Sequence, residues 1–257
     1  MDILVCVKAV PVTAQVQLDG QLYLRRDGVK LQWNLADESA LEAALQLKGT
    51  AGSVTVLTMG PAKLEEPLRE LLARGADRAV LLTDPAMAGA DTYATGKALA
   101  QAAKALGRFD LILCGAQALD GETGQVPGML AGALALPCVT GAENLRLTSG
   151  GLLLERSMEQ GYAKMQVQLP AVVSLRTYSY TLRLPGILAM RRARQKQVEI
   201  LTAQELGISP AECGLKGSLT QVVRIQNQSP GLRKVERQTD PVLGVQTLLR
   251  LCKEVDG

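Results

Sequence analysis

The residues best suited to bind a ligand form a glycine-rich loop that follows a short apolar run. Residues 111–114 predict a buried strand that ends at Gly115, and the small and apolar residues 129–136 predict a helix. The amides at a helix N-terminus lack partners and carry about half a positive charge, so this loop could bind phosphate, with Thr123 and Gln125 as added donors. The glycines fit equally a tight strand-to-helix turn, in which Gly115 and Gly121 have no ligand role.

Apolar runs alternate with amphipathic segments in the first half of the chain. The apolar runs, which predict strands, are residues 3–7, 54–59, 79–83 and 111–114, and the segments that predict helices are 37–49, 62–73 and 91–106. Strands and helices that alternate in this way predict a doubly wound, mainly parallel α/β sheet. Because such sheets bind ligands beyond the carboxyl ends of their strands, the turns at Ala9, Met59 and Gly115 are expected to converge on one crevice.

Polar residues indicate where several elements begin. Asp37 is the predicted N-cap of the first helix, with Asn34 as a cap or loop residue before it, and Asp91 is predicted to begin the third helix. Asp-Gly pairs predict a small hairpin within residues 16–29.

The pattern changes after Pro137. Residues 144–147, 152–157 and 164–169 predict antiparallel strands, and residues 171–175 predict another apolar strand. From Tyr178 onward regular patterning fades, so the apolar stretch 182–190 is predicted to lie in a loop. The remaining expectations are a solvated or functional basic run at 191–196, an extended segment at 198–201, a capping-box helix start at Thr202 and Glu205, an extended arm at 209–238, and a closing helix at 240–252.

Composition excludes several classes of function. The chain has 257 residues, of which 47% are hydrophobic and 21% charged, as in ordinary globular proteins. A net charge of +3 and 3% aromatic residues do not favour a nucleic-acid-binding protein. The absence of histidine excludes catalysis by Ser-His-Asp or Cys-His groups and zinc sites that contain histidine. Any chemistry must therefore come from a bound cofactor or a carboxylate.

The cysteines and the N-terminus predict the compartment. The five cysteines contain no C-x-x-C pair, and they are predicted to be small buried hydrophobes in a reducing environment. The N-terminus has no basic region before its short apolar run, and no stretch approaches the roughly 18 apolar residues that cross a membrane. The protein is expected to be cytoplasmic.

Several stretches together resemble the electron transfer flavoprotein beta subunit (FixA-type) family. The similarity covers essentially the whole chain, most weakly after residue 205. The stretches that carry it are Ile3-Leu4-Val5-Cys6-Val7-Lys8-Ala9-Val10-Pro11, Asn34 to Asp37 with the following helix, Met59-Gly60-Pro61, Gly75-Ala76-Asp77-Arg78, the glycine-rich loop, Leu169-Pro170-Ala171, and Leu184-Pro185-Gly186-Ile187 with its basic run.

The resemblance implies a non-covalent electron carrier that pairs with an alpha subunit. It implies an adenine-nucleotide alpha-hydrolase-like, Rossmann-like fold, with the redox FAD mostly on alpha and a second adenine nucleotide on this chain. The positions that match the family's adenosine site are Ala9, Asn34, Leu35, Ala36, Asp37 and Met59. Those that match its phosphate loop are Gly115, Ala116, Gln117, Ala118, Leu119, Asp120, Gly121, Glu122 and Thr123, extended by Gly124, Gln125 and Val126.

The loop sequence bears on which nucleotide is bound. Simple family members carry a D-D-x-x-N-Q-T-G-Q loop that holds AMP, whereas the electron-bifurcating branch carries a loop close to D-G-D-T-A-Q-V-G that holds a second FAD. Asp120-Gly121-Glu122-Thr123-Gly124-Gln125-Val126 is nearer the second type, although Gly124 and Pro127-Gly128 depart from it. The resemblance therefore implies FAD here, with AMP as the alternative, and extends to flavin-based electron bifurcation.

The segment around Leu184 resembles the family's docking loop for dehydrogenases. By position, Leu184, Pro185 and Ile187 would contact flavin dehydrogenase partners. The alternative is that this segment packs on its own domain and that the basic run is a solvated turn.

The expected organisation is a nucleotide-binding domain at residues 1–205 and a C-terminal arm at 206–257 that wraps the partner subunit. A competing hypothesis is a stand-alone ATP-binding module like the universal stress proteins, although these are usually shorter and carry a G-x-x-G signature that is absent here. A nucleotide-dependent hydrolase or synthase would need a Walker lysine, histidine or metal cluster, and none is visible.

Overall fold

The computed structural model describes residues 1–12, 30–223 and 237–255. Within them lie eleven strands: β1 (Ile3–Cys6), β2 (Ala9–Pro11), β3 (Leu31–Trp33), β4 (Val54–Met59), β5 (Arg78–Leu82), β6 (Leu111–Gly115), β7 (Cys138–Thr148), β8 (Gly151–Met158), β9 (Gly161–Val167), β10 (Ala171–Leu175) and β11 (Glu199–Leu201). The α-helices of the same residues are α1 (Leu35–Leu47), α2 (Glu65–Ala73), α3 (Thr92–Leu106), α4 (Val126–Leu134), α5 (Ile187–Ala193), α6 (Gly214–Gly217) and α7 (Pro241–Val255).

Nine of these strands form one sheet in the order β11-β5-β4-β1-β6-β10-β7-β8-β9. The pairings from β11 to β7 are parallel, and β8 and β9 add two antiparallel strands at one edge. The chain builds the sheet outward from β1 in one direction through β4 and β5, then returns to the other side of β1 with β6. The predicted doubly wound, mainly parallel sheet with an antiparallel late portion is confirmed.

Two apolar layers cover the central sheet, because successive strand residues point to opposite faces. Ile3 and Val5 face the layer that contains Leu41 of α1 and Leu68 of α2. Leu4 and Cys6 face the other layer, with α3 and α4. All four residues of β1 are buried, as expected of a central parallel strand.

Contacts divide the chain into two units. The first is Met1–Val222 and the second is Val223–Gly257. In the second unit, the described residues form α7, whose apolar side chains Val242, Val245 and Leu248 are exposed. The closing helix predicted at 240–252 is confirmed.

Helix boundaries differ from the sequence predictions in two places. Asp37 does not cap α1, which begins at Leu35 after Asn34; its carboxylate accepts hydrogen bonds from distant strand ends instead. α4 begins at Val126 rather than Met129, because Pro127 is tolerated in a first turn, where its missing N–H has no partner to lose. Left-handed Ala135 then ends α4 before Leu136.

The later part of the chain also brings corrections. The apolar stretch predicted to be a loop ends inside α5, a helix of seven residues that begins at Ile187 and continues into the basic run. Thr202 and Glu205 make the reciprocal hydrogen bonds of a capping box, yet a turn follows instead of a helix. The predicted hairpin at 16–29 lies outside the described residues; β2 and β3, on either side of it, pair antiparallel.

The cysteine prediction is partly wrong. All five thiols are free; Cys6, Cys114 and Cys213 are buried as predicted, whereas Cys138 and Cys252 are exposed. The pKa of the Cys114 thiol is raised mainly by its hydrogen bond with Cys6 and also by burial. Cys114 is therefore a neutral core residue.

Candidate functional site

The candidate site lies where β1, β4 and β6 end. These three strands are parallel neighbours, so the segments that follow them leave the sheet at one edge. Met59 is the last residue of β4 and Gly115 the last of β6, while Ala9 follows β1 and begins β2. Their positions agree with the crevice expected from the order of elements.

Asp37 joins two of these strand ends. Its carboxylate accepts a 2.8 Å hydrogen bond from the Lys8 amide and another of 2.8 Å from the Gly115 amide. A β-carbon at Gly115 would overlap the Asp37 carboxylate and the side chain of Ala36, so glycine is required for this close approach. Burial raises the pKa of Asp37 to about 7, although these hydrogen bonds and the Lys8 charge oppose the rise.

Asn34 holds the glycine-rich loop through both ends of its amide. Its Nδ2 donates to the Gln117 carbonyl at 2.9 Å, and its Oδ1 accepts from the Leu119 amide at 3.2 Å. The residue is 1% exposed. Since a single planar group makes both contacts, the loop is held in one position relative to the start of α1.

Lys8 adds an ion pair across the same crevice. Its ammonium lies 2.6 Å from the Asp120 carboxylate, whose side chain is 2% exposed, while the Lys8 side chain is 40% exposed. Lys8 lies within one of the stretches that carry the family resemblance, but that resemblance implied no role for it. A lysine directly after the first strand was the available signal.

The amides at the start of α4 form an anion-binding geometry. No side chain caps this helix, because the Gln125 Oε1 instead accepts a 2.8 Å hydrogen bond from the Thr92 hydroxyl. Among the described residues, the amides of Thr123, Gly124 and Val126 have no hydrogen-bond acceptor. Gly124 adopts φ +62°, a conformation suited to glycine. Together with the exposed Thr123, these unpaired donors suit a phosphate.

The structure brings the predicted residues together to different degrees. The side chains of Asn34 and Asp37 contact the loop at Gly115, Gln117 and Leu119. Ala118 accepts a hydrogen bond from Glu122, so residues 118–122 form a turn that presents Gly121 to solvent. Two further predicted residues, Leu35 in the first turn of α1 and Ala116 in the loop, are half-buried. The last two, Gln125 and Val126, lie at the start of α4.

Met59 and its neighbour Thr58 lie on opposite faces of β4. Met59 packs against the apolar layer that contains α3. The buried Thr58 hydroxyl has no hydrogen-bond partner among the described residues. Sequence patterning had assigned Thr58 only to a strand, and alternation gave no signal of an unsatisfied hydroxyl.

The predicted docking residues form an exposed apolar surface. Leu184 is 85% and Ile187 75% exposed, and Pro185 between them is half-buried. The alternative that this segment packs on its own domain is therefore wrong for the side chains of Leu184 and Ile187.

The described residues contain no group of three or more Cys, Asp or Glu side chains placed to bind a metal ion. Likewise, no helix in the described ranges is long and apolar enough to span a membrane.

Comparisons of the sequence with family models and with known proteins indicate a single family. Residues 21–206 match the model described as the electron transfer flavoprotein domain. The electron transfer flavoprotein subunit beta of Thermoanaerobacterium thermosaccharolyticum is 43% identical over 226 residues, 87% of this chain and 86% of the relative.

Two further relatives cover similar shares. Subunit CarD of the caffeyl-CoA reductase-Etf complex of Acetobacterium woodii is 40% identical over 227 residues, 87% of each chain. Protein FixA of Azorhizobium caulinodans is 40% identical over 235 residues, 88% of this chain and 84% of the relative. With its strand-end crevice, its amide-rich loop and these similarities, the chain belongs to the electron transfer flavoprotein beta-subunit family.

Proposed function

We propose that this chain is the beta half of a cytoplasmic heterodimer that carries electrons between a dehydrogenase and an acceptor, with an adenine nucleotide in the crevice at the ends of β1, β4 and β6. The observation that carries the proposal is the set of unpaired amides at Thr123, Gly124 and Val126. They lie in the same loop that Asn34 bonds at Gln117 and Leu119. A helix N-terminus with free donors binds phosphate through charge and hydrogen bonds together.

The residues divide by the part of the nucleotide that they would contact. Ala9, Met59 and the segment Asn34 to Asp37 would surround the adenosine, and the loop from Gly115 to Thr123 would hold phosphate, extended by Gly124, Gln125 and Val126. The polar atoms of the Asn34 and Asp37 side chains already bond the protein, so we assign their role to shaping the crevice. Apolar Ala9 and Met59 would exclude water from the adenine.

We assign FAD rather than AMP to this site. The loop sequence from Asp120 to Val126 supports FAD, as does a 40% identical relative named as a subunit of a caffeyl-CoA reductase-Etf complex. The adjoining free amides extend over Thr123 to Val126, which suits more than one phosphate group. When bound, a flavin supplies the reversible redox chemistry itself, so the absence of histidine from this chain is no obstacle to electron transfer. A second flavin would make flavin-based electron bifurcation available to the complex.

We propose two partner surfaces. Flavin dehydrogenases would dock on Leu184, Pro185 and Ile187, since an exposed apolar segment of this kind marks an interaction site. The C-terminal arm, residues 206–257, would wrap the alpha subunit. The exposed apolar side chains of α7 support this assignment, because an amphipathic helix requires an apolar surface to cover it. The stand-alone ATP-binding alternative has no support from the family relationships.

The test is to purify the chain co-expressed with its alpha subunit and to count the extracted nucleotides per heterodimer. We expect two FAD. One FAD and one AMP would retain the electron carrier but overturn the assignment of FAD to this chain. Recovery of the chain without an alpha subunit and without flavin would overturn the whole proposal.

A further inference from the structure

Glu42 is a buried carboxylate that the nucleotide site does not use. It lies in the middle of α1, 4% exposed, between the buried apolar residues Leu41 and Ala43. An ionised carboxylate in such a position is unfavourable unless it is paired and hydrogen-bonded. The residue that pairs with Glu42 therefore indicates the role of this carboxylate.

The partner is Arg183, which lies 141 positions later in the chain. Its guanidinium donates through Nε to Glu42 Oε2 at 2.9 Å and through Nη2 to Oε1 at 2.8 Å. The Arg183 backbone amide donates to Oε2 at 3.2 Å. Burial opposes ionisation of Glu42, but the hydrogen bonds from Arg183 and Gln46 and the Arg183 charge together hold its pKa below the usual range. This two-point fork fixes orientation as well as distance.

Other bonds hold the same stretch of backbone. Ser39 of α1 donates to the Tyr180 carbonyl at 3.3 Å, and Arg74 at the end of α2 donates to the Arg183 carbonyl at 3.2 Å. The Tyr180 hydroxyl accepts from the Leu145 amide at 2.7 Å. Residues 180–183 are therefore attached to α1, to the end of α2 and to β7.

The exposed apolar segment begins at the next residue. Leu184, Ile187 and Leu188 are 85%, 75% and 59% exposed, with no cover from the described chain. A rigid base directly before a projecting apolar segment reduces the number of conformations that the segment samples. Fewer conformations before binding mean a smaller ordering cost on binding.

We propose that Glu42 is a positioning residue for partner docking: by locking Arg183 it holds the segment from Leu184 to Met190 in the arrangement that a protein partner binds. The inference rests on the proposed function, since it deepens the docking role of that segment. It also places both sites on one helix, because Asn34 and Asp37 hold the glycine-rich loop at the start of α1 while Glu42 holds the docking segment one to two turns later.

The experiment compares wild type and Glu42→Gln in the complex with the alpha subunit. Amide hydrogen exchange is followed in peptides that cover residues 180–190. We expect about tenfold faster exchange there in Glu42→Gln, because a charge-assisted fork is lost. Exchange in residues 115–125 should not change. In addition, KM is measured for the flavin dehydrogenase that reduces the wild-type complex, and we expect a several-fold increase with kcat unchanged.

Three variants act as controls. Gln46→Ala removes the other side-chain donor to Glu42 and leaves Arg183 in place, so it should keep both the wild-type exchange and the wild-type KM. Arg183→Lys keeps the charge but lacks the fork, and should fall between wild type and Glu42→Gln. It also serves if Glu42→Gln does not fold. Leu184→Ala should raise KM without changing exchange at 180–183.

The outcomes separate the inference from the proposed function. Equal exchange in wild type and in both Glu42→Gln and Arg183→Lys would overturn the inference, and so would faster exchange with an unchanged KM. If the inference fails in this way while the complex still contains one nucleotide on each subunit, the proposed function is unaffected. A wild-type complex without flavin, or one that no flavin dehydrogenase reduces, would instead overturn the proposed function.

Discussion

The side chains of Asp37 and Asn34 both bond the protein backbone. Each side chain uses its polar atoms to bond amides or carbonyls of segments that come from elsewhere in the chain. The family resemblance identified both positions, whereas the structure indicates how they work: they set the distance between the ends of β1 and β6 and the loop that follows. Their substitution should therefore affect both stability and nucleotide content.

The buried Asp37 carboxyl makes stability depend on pH. Its pKa of about 7 in the folded chain lies above the ordinary value of 3.8, so between these pH values the folded chain holds a proton that the unfolded chain releases. Its stabilising contribution is complete below the ordinary pKa and is lost as the pH rises through 7. The wild type should therefore lose on the order of 2 kcal/mol of unfolding free energy through this group as the pH rises from 5 to 8. Asp37→Asn has no such carboxyl, so its unfolding free energy relative to that of wild type should rise by the same amount over this range.

Urea unfolding of the purified complex at the two pH values measures this change. Asp110→Asn is the control, because exposed Asp110 also accepts a backbone hydrogen bond but is not buried. A constant difference between wild type and Asp37→Asn across this range would contradict the prediction.

Asn34→Ala should loosen the glycine-rich loop. The Gln117 carbonyl and the Leu119 amide would each lose a buried partner, at a cost of about 1–3 kcal/mol of unfolding free energy. Nucleotide content per complex should fall with it. Gln168→Ala is the control: it removes an exposed bond to the Gly150 carbonyl just before β10, at the opposite ends of the parallel strands. Nucleotide content equal to wild type in Asn34→Ala would be inconsistent with the proposed role.

At the level of elements, α4 begins without a side-chain cap, as α1 and α2 also do. In α3 a side chain satisfies one of the first amides, because Asp91 accepts from the Ala94 amide at 2.9 Å. In α4 the corresponding residue, Gln125, accepts from Thr92 instead. The support for a ligand role of α4 is therefore the set of amides at Thr123, Gly124 and Val126, which have no acceptor among the described residues.

Substitutions at Gln125 separate helix stability from phosphate binding. Gln125→Asp places a carboxylate at the helix N-terminus, where it favours the helix but repels phosphate, so nucleotide content should fall while the melting temperature of the nucleotide-free chain does not. Gln125→Asn loses the same Thr92 contact without adding charge, and should retain more nucleotide than Gln125→Asp. Equal nucleotide content in the two variants would show that no phosphate lies near α4.

At the level of the whole molecule, the two contact units have unequal cores. Both apolar layers of the sheet lie within Met1–Val222. The described part of the second unit exposes most of its large apolar side chains. The first unit therefore contains the apolar core of the sheet, and the described part of the second contains the exposed apolar helix α7 that we propose the alpha subunit covers.

Removal of residues 223–257 should separate these roles. The shortened chain should give the far-UV circular dichroism spectrum of a folded α/β protein, and it should unfold cooperatively, because its core is intact. Its association with the alpha subunit, measured by size-exclusion chromatography of co-expressed chains, should weaken. A shortened chain that is unfolded, or one that binds the alpha subunit as well as the full chain does, would contradict this division.

Sequence patterns predicted the α/β class, the main strands and helices as far as β10, and the edge of the sheet at which the candidate site lies, but they did not predict β2, α5 or α6. These follow from local periodicity: apolar runs, helical spacing and glycine-rich turns depend on residues close together in the chain. Because the carboxyl ends of parallel strands must share an edge, the positions of Ala9, Met59 and Gly115 could be inferred without coordinates. Family resemblance supplied the candidate ligand residues, which remain proposals.

Tertiary structure decided what depends on distant residues. Asp37 could not be distinguished from a helix cap until the amides of Lys8 and Gly115, 29 and 78 positions away, were placed beside it. The Lys8–Asp120 ion pair spans 112 positions and the Glu42–Arg183 fork 141. The sequence by itself determined most of the elements and the edge of the sheet at which Ala9, Met59 and Gly115 lie, because both follow from local pattern. Only the fold decided which polar side chains hold the glycine-rich loop and the backbone before Leu184, because each of those bonds depends on where another part of the chain lies.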